Sequence, residues 1–202
     1  MSSLPPIDPP RQLSTVGAEP GASRCLMRPV VLVGMMGAGK TAVGRRLATA
    51  LDVGFADADE AIVEAAAMSI PDIFELYGEA AFRDLERRVI ARLILDTPGV
   101  LALGGGAFVD EETRAQLAGR CATIWLKADL DTLVARTAKK RTIRPLLLQG
   151  DPRTILGDLM AKRYPIYALA EHTVVTGDQP LEEVVERLLV LLEAAGELGS
   201  VA

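Results

Sequence analysis

The run Gly34-Met35-Met36-Gly37-Ala38-Gly39-Lys40-Thr41 fits the pattern GxxxxGK[ST]. That pattern can hold phosphate. Its glycines let the backbone fold tightly enough for several N–H groups to point inward. A helix opening beside them adds the positive end of its dipole. Gly37, Ala38, Gly39, Lys40, Thr41 and Ala42 are therefore the expected nucleotide-binding residues. Lys40 would reach the β- and γ-phosphates, and the Thr41 hydroxyl would ligate Mg²⁺. The chain has no NKxD string and no DxxG after a strand, as a switch GTPase would need. Phosphoryl transfer to a small acceptor is preferred to hydrolysis as a switch or motor.

The acceptor side needs acids and anion-binding groups. "FADADE" carries Asp57 and Asp59 at i and i+2, a spacing that puts both on one face of a strand end. One acid could hold magnesium through water while the other orients or deprotonates a hydroxyl. Asp59-Glu60 also reads as a plain helix N-terminus, where acids are favoured. "GEAAFRDLE" places Arg83 and Glu86 at i and i+3 on one helix face. Alone, that spacing is equally a surface ion pair. "RPLLL" (144–148) follows Lys139-Lys140-Arg141 and has the composition of a mobile loop. "KRYPIY" (162–167) sets Arg163 on a helix that Pro165 should bend or end.

These residues need a frame. "PVVLVG" (29–34) is a continuous apolar run, as a strand buried on both faces requires. A helix follows from Gly39 to about Leu51. Further strands are expected at 53–59, 99–106, 121–128 and 172–177. Residues 59–95 read as helix, broken near Ser69-Ile70-Pro71 and Tyr77-Gly78, and an amphipathic helix closes the chain at 180–195. Alternating strands and helices imply a parallel sheet flanked by helices. Ligands then bind beyond the carboxyl ends of the strands. The phosphate loop, the acids at 57 and 59 and the glycines at 104–106 all fall there.

Composition narrows the partners. A net charge of −5 with no long basic stripe argues against a nucleic-acid surface. Cys25 and Cys121 lie far apart and His172 is the sole histidine, so a zinc site is not expected. The reading is a reduced cytoplasmic protein. No apolar run reaches the roughly 20 residues needed to span a membrane. Residues 1–28 hold Pro5, Pro6, Pro9, Pro10 and Pro20 without a hydrophobic core, and are read as a disordered tail.

Taken together, the chain resembles the shikimate kinases from about Pro29 to Leu192. The likeness rests on the phosphate loop with its "VGRRLA" continuation, D-x-D after the second strand and "IPDIFELYGEAAFRDLE". It continues through "LGGGA", "RPLL" and R-x-P-x-Y at Arg163 to Tyr167. The resemblance implies a P-loop NTPase fold of the nucleoside-monophosphate-kinase type, with a five-stranded parallel sheet. It implies a kinase domain over 29–202, with a substrate-binding helical insert at about 58–95 and a mobile lid at about 138–151.

The activity implied is Mg-dependent transfer of the ATP γ-phosphoryl group to the 3-hydroxyl of shikimate. Asp59 resembles the acid on the shikimate hydroxyls and candidate base. Arg83 and Arg163 resemble the carboxylate clamp, and Gly105 and Gly106 the glycine turn bordering the ring. Arg144 resembles the lid arginine, Asp57 the acid that holds Mg²⁺ through water, and Arg136 and Pro180 the residues flanking adenine. Glu86 would hold Arg83 in place. Ala67 stands where many relatives have glycine. A monomer suffices for this chemistry. A gluconate-type sugar-acid kinase and a nucleotide-binding module without turnover are the competing readings.

Overall fold

Val30–Val33, the strand β2, is at most 1% exposed at every position, because it lies at the centre of a parallel sheet with helices over it. The computed structural model describes residues 24–96, 99–139 and 150–200. Beside β2 run β4 (Val100–Ala102) and β5 (Ala122–Ala128), with β3 (Phe55–Asp57) outside β4 and β6 (His172–Thr176) outside β5. The order β3-β4-β2-β5-β6 is parallel throughout. The chain builds first to one side of β2 and then to the other. That reversal opens a crevice at the carboxyl end of β2, where the phosphate loop begins.

Helix α1 (Lys40–Leu51) buries Val43, Leu47, Ala48 and Leu51, the spacing of a single helix face. Helices α5 (Leu130–Lys139), α6 (Pro152–Tyr167) and α7 (Leu181–Ala194) complete the cover. The strands are shorter than their sequence runs at one or both ends. Among the described residues no helix is long and apolar enough to cross a membrane.

Helices α2 (Ala58–Ala66) and α3 (Ile70–Asp96) form the insert expected at 58–95. They share a small core of Ile62, Ala66, Ile73, Phe82, Leu85 and Val89. The predicted breaks are where they should be. Ala67 ends α2 in the left-handed region at φ 52°, where an L-residue pays about 1–2 kcal/mol. Gly78 interrupts α3 at φ 81° and ψ 174°, so α3 is two helical pieces meeting at a kink.

One expectation changes and another lies outside the described residues. The tail does not extend to residue 28. Arg24–Leu26 form β1, antiparallel to β7 (Leu198–Ser200), in a separate two-stranded sheet. Arg28 then ties both regions, pairing with Glu171 at 2.8 Å and with the buried Glu197. This ribbon has no sequence signal because each short run gains its ladder only from the far end of the chain. Residues 1–23 lie outside the described residues. The lid expected at 138–151 is bracketed by α5, which runs to Lys139, and by Asp151, which caps α6. Residues 140–149, including Arg144, lie outside the described residues.

Candidate active site

The phosphate loop turns through Gly34, Gly37 and Gly39 at φ 145°, 84° and 98°, so its path needs glycine. Gly39 caps α1 without a side chain, which leaves the first N–H groups of that helix for a ligand. Lys40 Nζ donates to the Gly34 and Met35 carbonyls at 2.8 and 3.1 Å, folded over its own loop. Thr41 Oγ1 donates to Asp57 Oδ2 at 2.8 Å. The Arg136 guanidinium donates to the Gly37 and Ala38 carbonyls at 3.4 and 3.3 Å, and also to the Gly177 carbonyl. It straps the loop to the turn after β6, and Pro180, just beyond, caps α7. Arg136, one of the two residues expected to flank adenine, therefore borders the loop side of the crevice.

The acid pair is arranged differently from the strand-face expectation. Asp57 closes β3, but Asp59 already lies in the first turn of α2. Asp57 is the cap of that helix, and its Oδ1 accepts the Asp59 backbone N–H at 3.0 Å. The chain bends into a helix at residue 58, so strand alternation stops one residue too early to align the two acids. Asp57 thus faces Thr41 with one oxygen and caps α2 with the other.

The glycine turn after β4 receives the remaining side chains. A Cβ on Gly104 would stand 2.5 Å from Asp59 Oδ1 and 3.3 Å from Glu86 Oε1, so only glycine admits both carboxylates. The Gly105 carbonyl accepts from Arg163 Nη1 at 3.0 Å and from the Tyr167 hydroxyl. A Cβ on Gly105 would lie 3.8 Å from Met36 N, so the turn rests against the phosphate loop. A Cβ on Gly106 would lie 2.8 and 2.9 Å from the two terminal nitrogens of Arg83. A cavity of about 380 Å³ opens between these groups, lined by Glu79, Arg83, Gly106, Val109, Asp110 and Arg163.

Its electrostatics centre on Arg83 and Glu86. Glu86 is 2% exposed, and its Oε2 accepts from Arg83 Nη1 at 2.6 Å. Burial pushes the Glu86 carboxyl up, and the Arg83 pairing only partly offsets it. Burial pulls the Arg83 guanidinium down, but pairing with Glu86 and Glu79 leaves it raised. The pair is therefore a fixed, desolvated support, not the exposed ion pair that its spacing alone allows. Asp110 caps α4 (Glu111–Leu117) by accepting from Thr113 N, and pairs with Arg87 at 3.1 Å. Burial raises its carboxyl, but these contacts outweigh that and hold it below the usual range.

The structure brings Lys40, Thr41, Asp57, Asp59, Arg83, Gly105, Gly106, Arg136 and Arg163 to one crevice. Glu79, Asp110 and Tyr167 were not singled out as site residues. Tyr167 could have been found, since it sits four residues past Arg163 on the same helix face. Glu79 and Asp110 carried no signal beyond a helical charge and a cap. A hydroxyl and a carboxylate 2.8 Å apart beside the loop are hard oxygen donors of the type Mg²⁺ selects. Glu171, His172 and Glu197 also cluster, but Arg28 already pairs with both acids there.

A family model described as shikimate kinase matches residues 36–193. The chain is 49% identical over 162 residues to a shikimate kinase of Mesorhizobium japonicum, covering 80% of this chain and 79% of that one. It superposes with a TM-score of 0.78 on the solved shikimate kinase of Acinetobacter baumannii in complex with shikimate. That match has 36% identity and covers 84% of this chain and 95% of the other. A solved gluconokinase of Sinorhizobium meliloti shares 17% identity at a TM-score of 0.54, over 85% of this chain and 95% of that one. That likeness is one of fold alone.

Proposed function

The chain belongs to the shikimate kinase family, and from that membership we propose how its own residues carry out phosphoryl transfer from ATP to shikimate. The carrying observation is the meeting of Asp59, Arg83 and Arg163 on the Gly104–Gly106 turn, against the phosphate loop. The two guanidinium groups bind the shikimate carboxylate, each charge-assisted contact contributing roughly 1.5–3 kcal/mol. This orients the ring so that its 3-hydroxyl meets Asp59. Asp59 accepts the hydroxyl proton as that oxygen forms its bond to the γ-phosphorus. The bond from phosphorus to the bridging oxygen breaks, and ADP leaves with the electron pair. Lys40 moves from its loop carbonyls onto the β- and γ-phosphates and stabilises the charge spread over them.

Thr41 would hold Mg²⁺ directly and Asp57 through water, in keeping with their mutual contact. Bound there, the ion would neutralise charge on the β- and γ-phosphates. Arg136 and Pro180 would border the adenine, and Arg144 would add positive charge at the transferring group. We assign residues 24–200 to one kinase domain that works as a cytoplasmic monomer.

A coupled assay of ADP release tests this reading, with shikimate, gluconate and water as acceptors. Release should depend on shikimate; release indifferent to it would overturn the assignment. Arg83→Ala should weaken shikimate binding roughly ten- to a hundredfold, the loss of one charge-assisted contact, while nucleotide affinity holds. Unchanged shikimate affinity would remove Arg83 from the clamp. Gly106→Ala should act in the same direction without touching the arginine, because its methyl group would overlap both terminal nitrogens. A variant with wild-type shikimate KM would show that the turn yields freely.

A further inference from the structure

Arg83 is held by two carboxylates of unlike character. Glu86 is almost fully buried and meets Nη1 at 2.6 Å. Glu79 has a side chain 71% exposed, and its Oε1 lies 3.4 Å from the other nitrogen, Nη2. Both terminal nitrogens of Arg83 crowd the Gly106 turn, and Glu79 and Arg83 line the same cavity. The first contact is a support that the fold does not release. The second is long and made by a side chain that is mostly exposed. It starts the second piece of α3, directly after the Gly78 kink.

The charges sharpen the contrast. Arg83 and Glu86 together sum to zero, so an anion entering the cavity is drawn mainly by Arg163. Asp110, the other acid on the wall, is already committed to Arg87 and to the α4 cap. Glu79 adds a negative charge beyond that balance, on an arginine that lines the cavity an incoming carboxylate would enter. One guanidinium edge cannot serve both acids.

We propose that Glu79 is an internal competitor of the substrate carboxylate, occupying the outer nitrogen of Arg83 until that carboxylate displaces it. The proposal rests on the reading of Arg83 as half of the carboxylate clamp. An acid that also meets Arg163 replaces Glu79 at little net loss. A neutral ligand cannot replace it, and leaves Arg83 engaged. Glu79 therefore lowers the affinity for every carboxylate by a fixed amount, without affecting uncharged ligands.

The test is calorimetric binding of shikimate and of its uncharged methyl ester to the full-length wild type, Glu79→Gln, Glu79→Ala and Arg83→Ala. Both Glu79 variants should bind shikimate roughly threefold tighter, the scale of an exposed ion pair. The ester should bind all Glu79 forms alike. A purely structural role for Glu79 would change both ligands together, and that result overturns the proposal. Weaker or unchanged shikimate binding in Glu79→Gln, with binding lost in Arg83→Ala, also overturns it while leaving the clamp standing. Shikimate affinity retained in Arg83→Ala would instead remove the clamp, and the proposal with it.

Discussion

Asp59→Asn is expected to lower kcat by roughly 10²–10⁴-fold, the range for loss of a positioned general base. The substitution is isosteric, and the structure explains why it should leave the fold alone. Asp57 caps α2 through the backbone N–H of residue 59, which asparagine keeps. The Asp59 side chain contributes instead to the pocket beside Gly104, where a Cβ would come within 2.5 Å of it. Shikimate binding should persist, since Arg83 and Arg163 are untouched and an amide still meets a hydroxyl. The measurement is kcat together with the shikimate dissociation constant. A variant within tenfold of wild-type kcat would show that the proton leaves by another route.

Lys40→Met is expected to cost roughly 10²–10³-fold in kcat, comparable to removing one preorganised donor from a developing charge. Methionine retains most of the length and the packing of the stem. In the structure Lys40 Nζ is engaged with two carbonyls of its own loop, so the ammonium is stored within reach of the phosphates. The loop's glycine geometry and the bare start of α1 remain in the variant, so nucleotide affinity should fall much less than turnover. Equal losses in binding and turnover would mean that the lysine acts in the ground state alone.

What could be read in advance divides along physical lines. The buried strand β2 and the amphipathic α1 announce themselves because their patterns are local and strongly periodic. Gly34 to Thr41 is legible because a phosphate loop constrains consecutive residues. Arg83 with Glu86 was legible as a helical spacing, yet nothing local revealed that Glu86 is buried. That fact depends on the Gly104 turn arriving from another strand. Asp57 and Asp59 were assigned one strand face, but the helix begins between them, and strand-to-helix bends leave little trace in a few residues. The β1–β7 ribbon was invisible because its two halves pair across nearly the whole chain. Tyr167 was legible as a helical neighbour of Arg163 at i and i+4, but the Gly105 carbonyl they share arrives from a distant turn.

That shared carbonyl has an optical consequence. Trp125 is the chain's only tryptophan, and its ring lies 4.8 Å from Tyr164 and 6.1 Å from Tyr167. Tyr167 in turn bonds the turn that Arg163 also grips. The single indole is thus an unlabelled fluorophore within one side chain of the substrate turn. Its emission is expected to respond when a ligand moves that carbonyl, which would make occupancy of the acceptor pocket readable in the ultraviolet, without a dye and without turnover.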